Sequence, residues 1–323
     1  MRRTFLKAGA ACGVQLVLGA AHAQQASARP VEWVVGFAAG GGSDAVARGV
    51  AEAWAKPIHR NIVVINKPGA GTNIAAEYAA RSRDYGNLVF TADFATLAAN
   101  PHLFPKLAYN AEQDFVPISL LARFPLLLVV NNELPVRSFQ EFSAWAKANP
   151  DKLSYGSPGL GTPHHLATEL LAQKMGVKMT HAPYRGAGPA MLDVIGGQIP
   201  FMLVDSAAGL PHINTGKVRA IGVASAQRLK SLPRTPTLIE QGVAGFEAFA
   251  WQGLVAPRGT DDATIQMWSR TLQETLKTPA VQARFEALAL EPLPSTPEQM
   301  REFWLSEKKR WGEVIKTAGI KLD

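Results

Sequence analysis

Short polar residues sit in glycine-rich stretches at four points of this chain. Ser43 and Asp44 follow Gly40-Gly41-Gly42, Thr72 and Asn73 follow Gly69-Ala70-Gly71, Ser157 and Thr162 bracket Pro158-Gly159-Leu160-Gly161, and Arg185 precedes Gly186-Ala187-Gly188. Glycine lets a ligand approach the main chain closely. Where such a stretch opens a helix, the unpaired N–H groups of the first turn and the helix dipole favour an anion. The chemistry this suggests is capture of a carboxylate or phosphate by backbone. Any single loop of this kind also serves to end a strand and cap a helix; four on one chain point to a ligand site.

Residues for bond chemistry are not arranged for it. His164 and His165 are adjacent, so on a helix they diverge by about 100°, and no HExxH or second liganding pair accompanies them. No metal is expected; one of the two histidines should face the cleft and the other pack or meet solvent, and the sequence leaves open which. Asp44, Asp93, Asp193 and Asp205 have no basic partner at a useful spacing for acid/base work. The Gly69 and Gly159 loops lack the third glycine of a dinucleotide fingerprint, GxxxxGK[ST] is absent, and glycine directly precedes Ser157 where a nucleophile elbow needs another spacing. The chain is expected to be no enzyme and to need no cofactor. Phe37, closing an apolar strand beside a glycine loop, is a better ligand-facing aromatic than Trp251, and Arg185 suits either a carboxylate or a surface salt bridge.

The elements that position these loops alternate strand and helix. Val31 to Phe37, Asn61 to Asn66, Leu153 to Gly156 and Thr180 to Tyr184 read as strands, each running through its glycine loop into a helix (45 to 55, 74 to 81, 163 to 174, 189 to 196). That alternation predicts parallel α/β sheets, and in an open sheet of this kind ligands bind beyond the carboxyl ends of the strands. Two apolar strands without a glycine loop after them, Phe115 to Val130 and Phe249 to Pro257, are the expected crossings between two domains. They place one domain at 24–123 plus 247–323, with helices carrying Trp268, Trp304 and Trp311, and the other at 124–246, around a hinged cleft.

Residues 1–23 read as a secretory signal peptide: a basic start, an apolar run of about 13 residues against the roughly 20 of a membrane span, and Ala21-His22-Ala23 before Gln24. Arg2-Arg3-Thr4-Phe5-Leu6-Lys7 resembles a twin-arginine motif, with general secretion as the alternative; both lead to the periplasm. Cys12, the single cysteine, goes with this segment, which excludes disulfides and thiolate sites from the mature chain. Without Arg2, Arg3 and Lys7 the chain keeps 30 basic against 26 acidic residues. The bases are scattered, so nucleic acid is not an expected partner. With 47% hydrophobic and 18% charged residues, the mature chain has the composition of a packed globular protein, expected to be a monomer.

Beyond these physical readings, the loops resemble the substrate-binding proteins of tripartite tricarboxylate transporters, the Bug or TctC-type receptors. The resemblance runs through GFAAGGGSDAVAR at Gly36, NKPGAGTNIAAEYAA at Asn66, NPHLFPKLAY at Asn100, YGSPGLGTPHHLATELL at Tyr155 and WQGLVAPRGT at Trp251. It implies a two-domain periplasmic type II solute-binding fold closing on a small organic acid, held largely by backbone N–H groups, for delivery to membrane permease subunits; input to a sensor kinase, or an enzyme acting on a carboxylic acid in the same cleft, are the alternatives. It assigns one wall of the cleft to Phe37, Gly41, Ser43, Asp44, Ala70, Gly71, Thr72 and Asn73. The opposite wall falls to Ser157, Gly161, Thr162 and His165, with Asp93 and Asp205 toward the far end. One departure bears on the ligand: an Asp-Asn type pair expected after the GQI segment is here Val204-Asp205, preceded by Pro200. That favours an acid without an ammonium group, a dicarboxylate or an aromatic acid.

Overall fold

The computed structural model describes residues 29–40, 42–184 and 186–322. The signal-peptide reading, Cys12, Gly41 and Arg185 fall outside the described residues. The chain runs β1 (Val31–Val35), α1 (Gly42–Trp54), β2 (Ile62–Asn66), α2 (Asn73–Arg81), β3 (Leu88–Asp93), α3 (Asn100–Leu103) and α4 (Ala111–Asp114) into the long β4 (Phe115–Asn131). It continues through α5 (Phe139–Ala148), β5 (Ser154–Ser157), α6 (Pro163–Met175), β6 (Thr180–Pro183), α7 (Ala187–Ile195), β7 (Phe201–Asp205), α8 (Ser206–Asn214) and β8 (Val218–Val223). It returns by β9 (Phe249–Pro257) to α9 (Asp262–Leu276), α10 (Pro279–Ala287), β10 (Glu291–Pro292) and α11 (Pro297–Ala318).

These strands form one hydrogen-bonded sheet in the order β2-β1-β3-β9-β4-β7-β5-β6, with β8 and β10 also on β4. β1 runs parallel to β2 and β3, and β5 parallel to β6 and β7, as strand–helix–strand crossovers require. β9 is antiparallel to both β3 and β4. β4 joins the two halves: its segment up to Pro125 pairs with β9, and from Leu126 it pairs with β7, then with β8 from Leu127.

Strand alternation sorts the apolar residues onto two faces. On one, Trp33, Trp54 and Trp268 make an edge-on chain with centroids 6.0 and 6.2 Å apart between α1 and α9, and Trp33 Nε1 donates to Thr91 Oγ1 at 2.7 Å. On the other, a continuous core takes in Phe90, Trp251, Trp304 and Trp311 from the first half and Leu166, Tyr155 and Phe201 from the second. Trp268, Trp304 and Trp311 are all fully buried. α11 is fixed at its start by a reciprocal capping box between Thr296 and Gln299 and at its end by Gly319.

Candidate functional site

The first glycine loop follows β1 directly. The strand ends at Val35, two residues before the sequence places its end, so Phe37 sits in the bend beyond it and is 37% exposed. Asp44, buried on the first turn of α1, holds the loop: one oxygen accepts from Gly40 N–H and Arg48 Nε, both at 2.9 Å, and the other from Asn66 Nδ2 at 2.9 Å. Asn66 Nδ2 also donates to the Phe37 carbonyl. Burial opposes the charge on Asp44, but Arg48, the Gly40 N–H and Asn66 outweigh it and hold the carboxyl below its ordinary pKa. Asp44 therefore does have a basic partner, four residues on, contrary to the expectation from spacing. Ser43 lies beside it on α1, half-buried.

The second loop has the most unusual backbone. Gly69, Ala70, Gly71 and Thr72 all have positive φ, at 129°, 47°, 59° and 74°, before Asn73 turns right-handed at −60° and starts α2. A β-branched residue at positive φ is strained, and such strain gathers at ligand clamps. No side chain caps α2. The Thr72 hydroxyl instead lies 2.8 Å from Thr96 Oγ1 and 3.4 Å from Asp93 Oδ1. Asn73 Oδ1 accepts from Asn100 Nδ2 at 2.7 Å and from the Tyr109 hydroxyl at 3.1 Å, and Asn100 also donates to the Gly71 carbonyl. These side chains brace the turn from behind, and within it the Thr72 N–H donates to the Gly69 carbonyl at 3.0 Å and the Asn73 N–H to the Ala70 carbonyl. The turn packs on the first loop: a Cβ on Gly36 would lie 2.9 Å from Thr72 Cβ. Asp93, at the end of β3, accepts from Thr96 N–H at 3.0 Å and Thr96 Oγ1 at 2.8 Å. Burial dominates there and pushes its carboxyl up.

In the second half, Thr162 caps α6, accepting the His165 N–H at 3.4 Å while donating to the Gly159 carbonyl at 2.8 Å. His165 Nδ1 accepts the Gly161 N–H at 3.1 Å. Tyr155 and His181 are cross-strand partners, which stacks their rings at 4.8 Å, and His165 stacks on His181 at 4.0 Å and 9°. Burial holds both imidazoles neutral, His165 down to about 3 with help from His181, and His181 down to about 4. Ser157 Oγ lies 2.6 Å from His181 Nε2 and accepts the Gly159 N–H at 3.1 Å. That is the spacing of a nucleophile and its base, but Ser157 is fully buried and its hydroxyl serves its own loop.

Both adjacent histidines are buried, so of the two expected alternatives, packing or meeting solvent, neither ring takes the second. His164 Nε2 lies 3.2 Å from Asp205 Oδ2 and its Nδ1 is buried without a partner. Asp205 also caps α8 through Ala208 N–H at 3.0 Å. Burial opposes its charge, and the His164 bond prevails to keep its carboxyl low. Asp205 thus also has a basic partner, a second departure from the spacing argument. Asp93 and Asp205 face different strands: Asp93 pairs with Gln252 of β9, Asp205 with Leu126 of β4. The halves meet at Gly161, where a Cβ would come 2.5 Å from Leu103 Cδ1.

The structure therefore places Phe37, Ser43, Asp44, Ala70, Gly71, Thr72, Asn73 and Asp93 on loops, helix starts and strand ends of the first half of the sheet and Ser157, Gly161, Thr162 and His165 on those of the second, with Asp205 beside α6. Asn66, Thr96, Asn100, Tyr109 and His181 were missed, because only folding brings them to the loops; Arg48 was legible as the i+4 partner of Asp44. Among the described residues no cluster of acidic and histidine side chains could hold a metal, and no helix is long and apolar enough to cross a membrane.

Residues 46–320 match the model of the tripartite tricarboxylate transporter family receptor. The chain is 35% identical over 296 residues to protein BugT of Bordetella pertussis, covering 91% of each chain. Among solved structures, R. palustris Rpa4515 with adipate superposes with a TM-score of 0.84 at 32% identity, covering 91% of this chain and 98% of that one. MatC from Rhodopseudomonas palustris with bound malate does so with a TM-score of 0.79 at 31% identity, covering 89% and 99%.

Proposed function

Since this chain belongs to the tripartite tricarboxylate transporter receptor family, a family of solute-binding receptors, we propose that it binds a small carboxylate in a cleft between the two halves of the sheet and hands it to membrane permease subunits. In this reading the halves are domains of 24–123 plus 247–323 and 124–246, hinged at β4 and β9, in a mature periplasmic protein released after Ala23. The observation that carries it is the left-handed run Ala70-Gly71-Thr72, a strained turn braced from behind by Asn100, Asn73 and Thr96 and opening onto an uncapped helix. An acid bound there accepts the first-turn N–H groups of α2 beyond Asn73, which no side chain caps, while Phe37 and Ser43 cover it from the first loop and the 157–162 loop closes over it. The adipate and malate of the two solved relatives make dicarboxylates the first class to try, in keeping with the departure at Val204-Asp205.

The side chains around the site favour a receptor over an enzyme. Asp44, Thr162, Ser157 and Asp205 each spend their polar atoms on loop backbone or a neighbour, which builds a rigid surface, and the hydroxyl that His181 faces, that of Ser157, is fully buried. Thermal melting of residues 24–323 against mono-, di-, tri- and aromatic carboxylates, amino acids and phosphate tests the reading. Ligand at 100 times Kd adds about 2.7 kcal/mol, enough to raise the midpoint by several degrees. A shift confined to carboxylates, with the acid recovered unchanged, is the expected result. No shift with any carboxylate, in protein that mass spectrometry shows to carry no copurified acid, would overturn it.

A further inference from the structure

Gln252 lies in the middle of β9, 1% exposed, and both its amide nitrogen and its amide oxygen are buried without a hydrogen-bond partner. A buried carboxamide offers two donors and an acceptor, and leaving all of them unmade is uncommon in a folded protein. Its position links it to the carboxylate site. Gln252 pairs with Asp93 of β3 on one side and with Ala122 of β4 on the other. Alternation along β9 puts its side chain on the face of Ala250 and Leu254, the face covered by α1 and α9. Ala250 pairs with Phe124, and a Cβ on Gly42, the first residue of α1, would lie 3.3 Å from the Phe124 ring. Gln252 therefore sits one strand over from Asp93 and two residues along β9 from Ala250, whose partner Phe124 meets the start of α1.

We infer that Gln252 is a specificity-determining residue for the bound acid, and that the acid carries a hydroxyl beside a carboxylate; this rests on the carboxylate-receptor reading above. A carboxylate is an acceptor only, so by itself it satisfies the Nε2 donors and leaves Oε1 unpaired. A 2-hydroxy acid satisfies both, its carboxylate taking an Nε2–H while its hydroxyl donates to Oε1. A site with a buried group waiting for a hydroxyl discriminates against the analogue lacking one, because the loss leaves that group unpaired.

The test uses matched acids, succinate with malate, glutarate with 2-hydroxyglutarate, and tricarballylate with citrate, measured by calorimetry on the wild type and on Gln252→Met, with Gln252→Leu as a second variant should the first fold poorly. In the wild type the hydroxy acid of the best-binding pair is expected to bind at least about tenfold tighter. Either apolar variant should bring that ratio close to one, weakening both acids through the lost Nε2 donor and the hydroxy acid further through the lost Oε1 acceptor. Binding without a hydroxyl preference, or a preference that survives both substitutions, overturns the role of Gln252 and leaves the carboxylate reading standing. If no acid in the panel binds, this inference falls, and the carboxylate reading falls with it only where the wider set of mono- and aromatic acids above also fails to bind.

Discussion

The stacked pair His165 and His181 makes the second half of the protein acid-labile in a way that can be worked out. Burial lowers His165 to about 3 and His181 to about 4 from an ordinary 6.5. Below pH 6.5 the unfolded chain therefore takes up protons that the folded chain refuses. The stability these neutral rings allow is present above pH 6.5 and is lost as pH falls toward the folded values. At pH 5, about 1.5 units below the unfolded pKa, each ring costs on the order of 2 kcal/mol, or about 4 kcal/mol for the pair. The perturbation is His165→Phe together with His181→Phe, which keeps aromatic rings stacked on Tyr155 and removes both titrations. Urea unfolding at pH 7.5 and pH 5 gives the loss for each protein, and groups common to both cancel in the difference. The wild type should lose about 4 kcal/mol more than the double variant over that interval. Equal losses, within about 1 kcal/mol, would refute the idea that these rings stay neutral in the folded state.

Gly161→Val places a β-branched residue at φ +73° with its Cβ 2.5 Å from Leu103 Cδ1. Leu103 is itself buried in the core, so overpacking adds to the backbone strain and the fold should lose roughly 2–5 kcal/mol, while carboxylate affinity in calorimetry falls at least about tenfold because the 157–162 loop is displaced; unchanged affinity would move the site elsewhere. Asp44→Asn keeps the size but not the charge that gathers the Gly40 N–H, Arg48 and Asn66. Urea unfolding should show a loss of about 1–2 kcal/mol, and calorimetry a weaker carboxylate; an unchanged unfolding midpoint would show that Asp44 does not organise the loop.

The sequence alone determined the alternation of strands and helices, the four glycine loops at helix starts, the two long apolar strands and the family resemblance. These are local properties: periodicity sets the element, glycine sets where the backbone turns, and both are written in consecutive residues. It could also have shown the Asp44–Arg48 pair, four residues apart on one helix. The tertiary structure decided what the polar side chains are for. Thr72 reads as a ligand hydroxyl until β3 brings Asp93 and Thr96 against it, and the Gly161 N–H reads as an anion donor until α6 turns His165 back onto it. His181 becomes a partner of Ser157 and His165 only through the register of β5 with β6. Gln252 looked like any polar residue in a strand; pairing between Asp93 and Ala122, positions about 160 and 130 residues away in the chain, is what buries its carboxamide. A hydrogen bond is decided by a few tenths of an ångström between groups that are distant in sequence, so the site's scaffold could be read as backbone from the chain, but the assignment of each side chain to bracing or binding needed the packed fold.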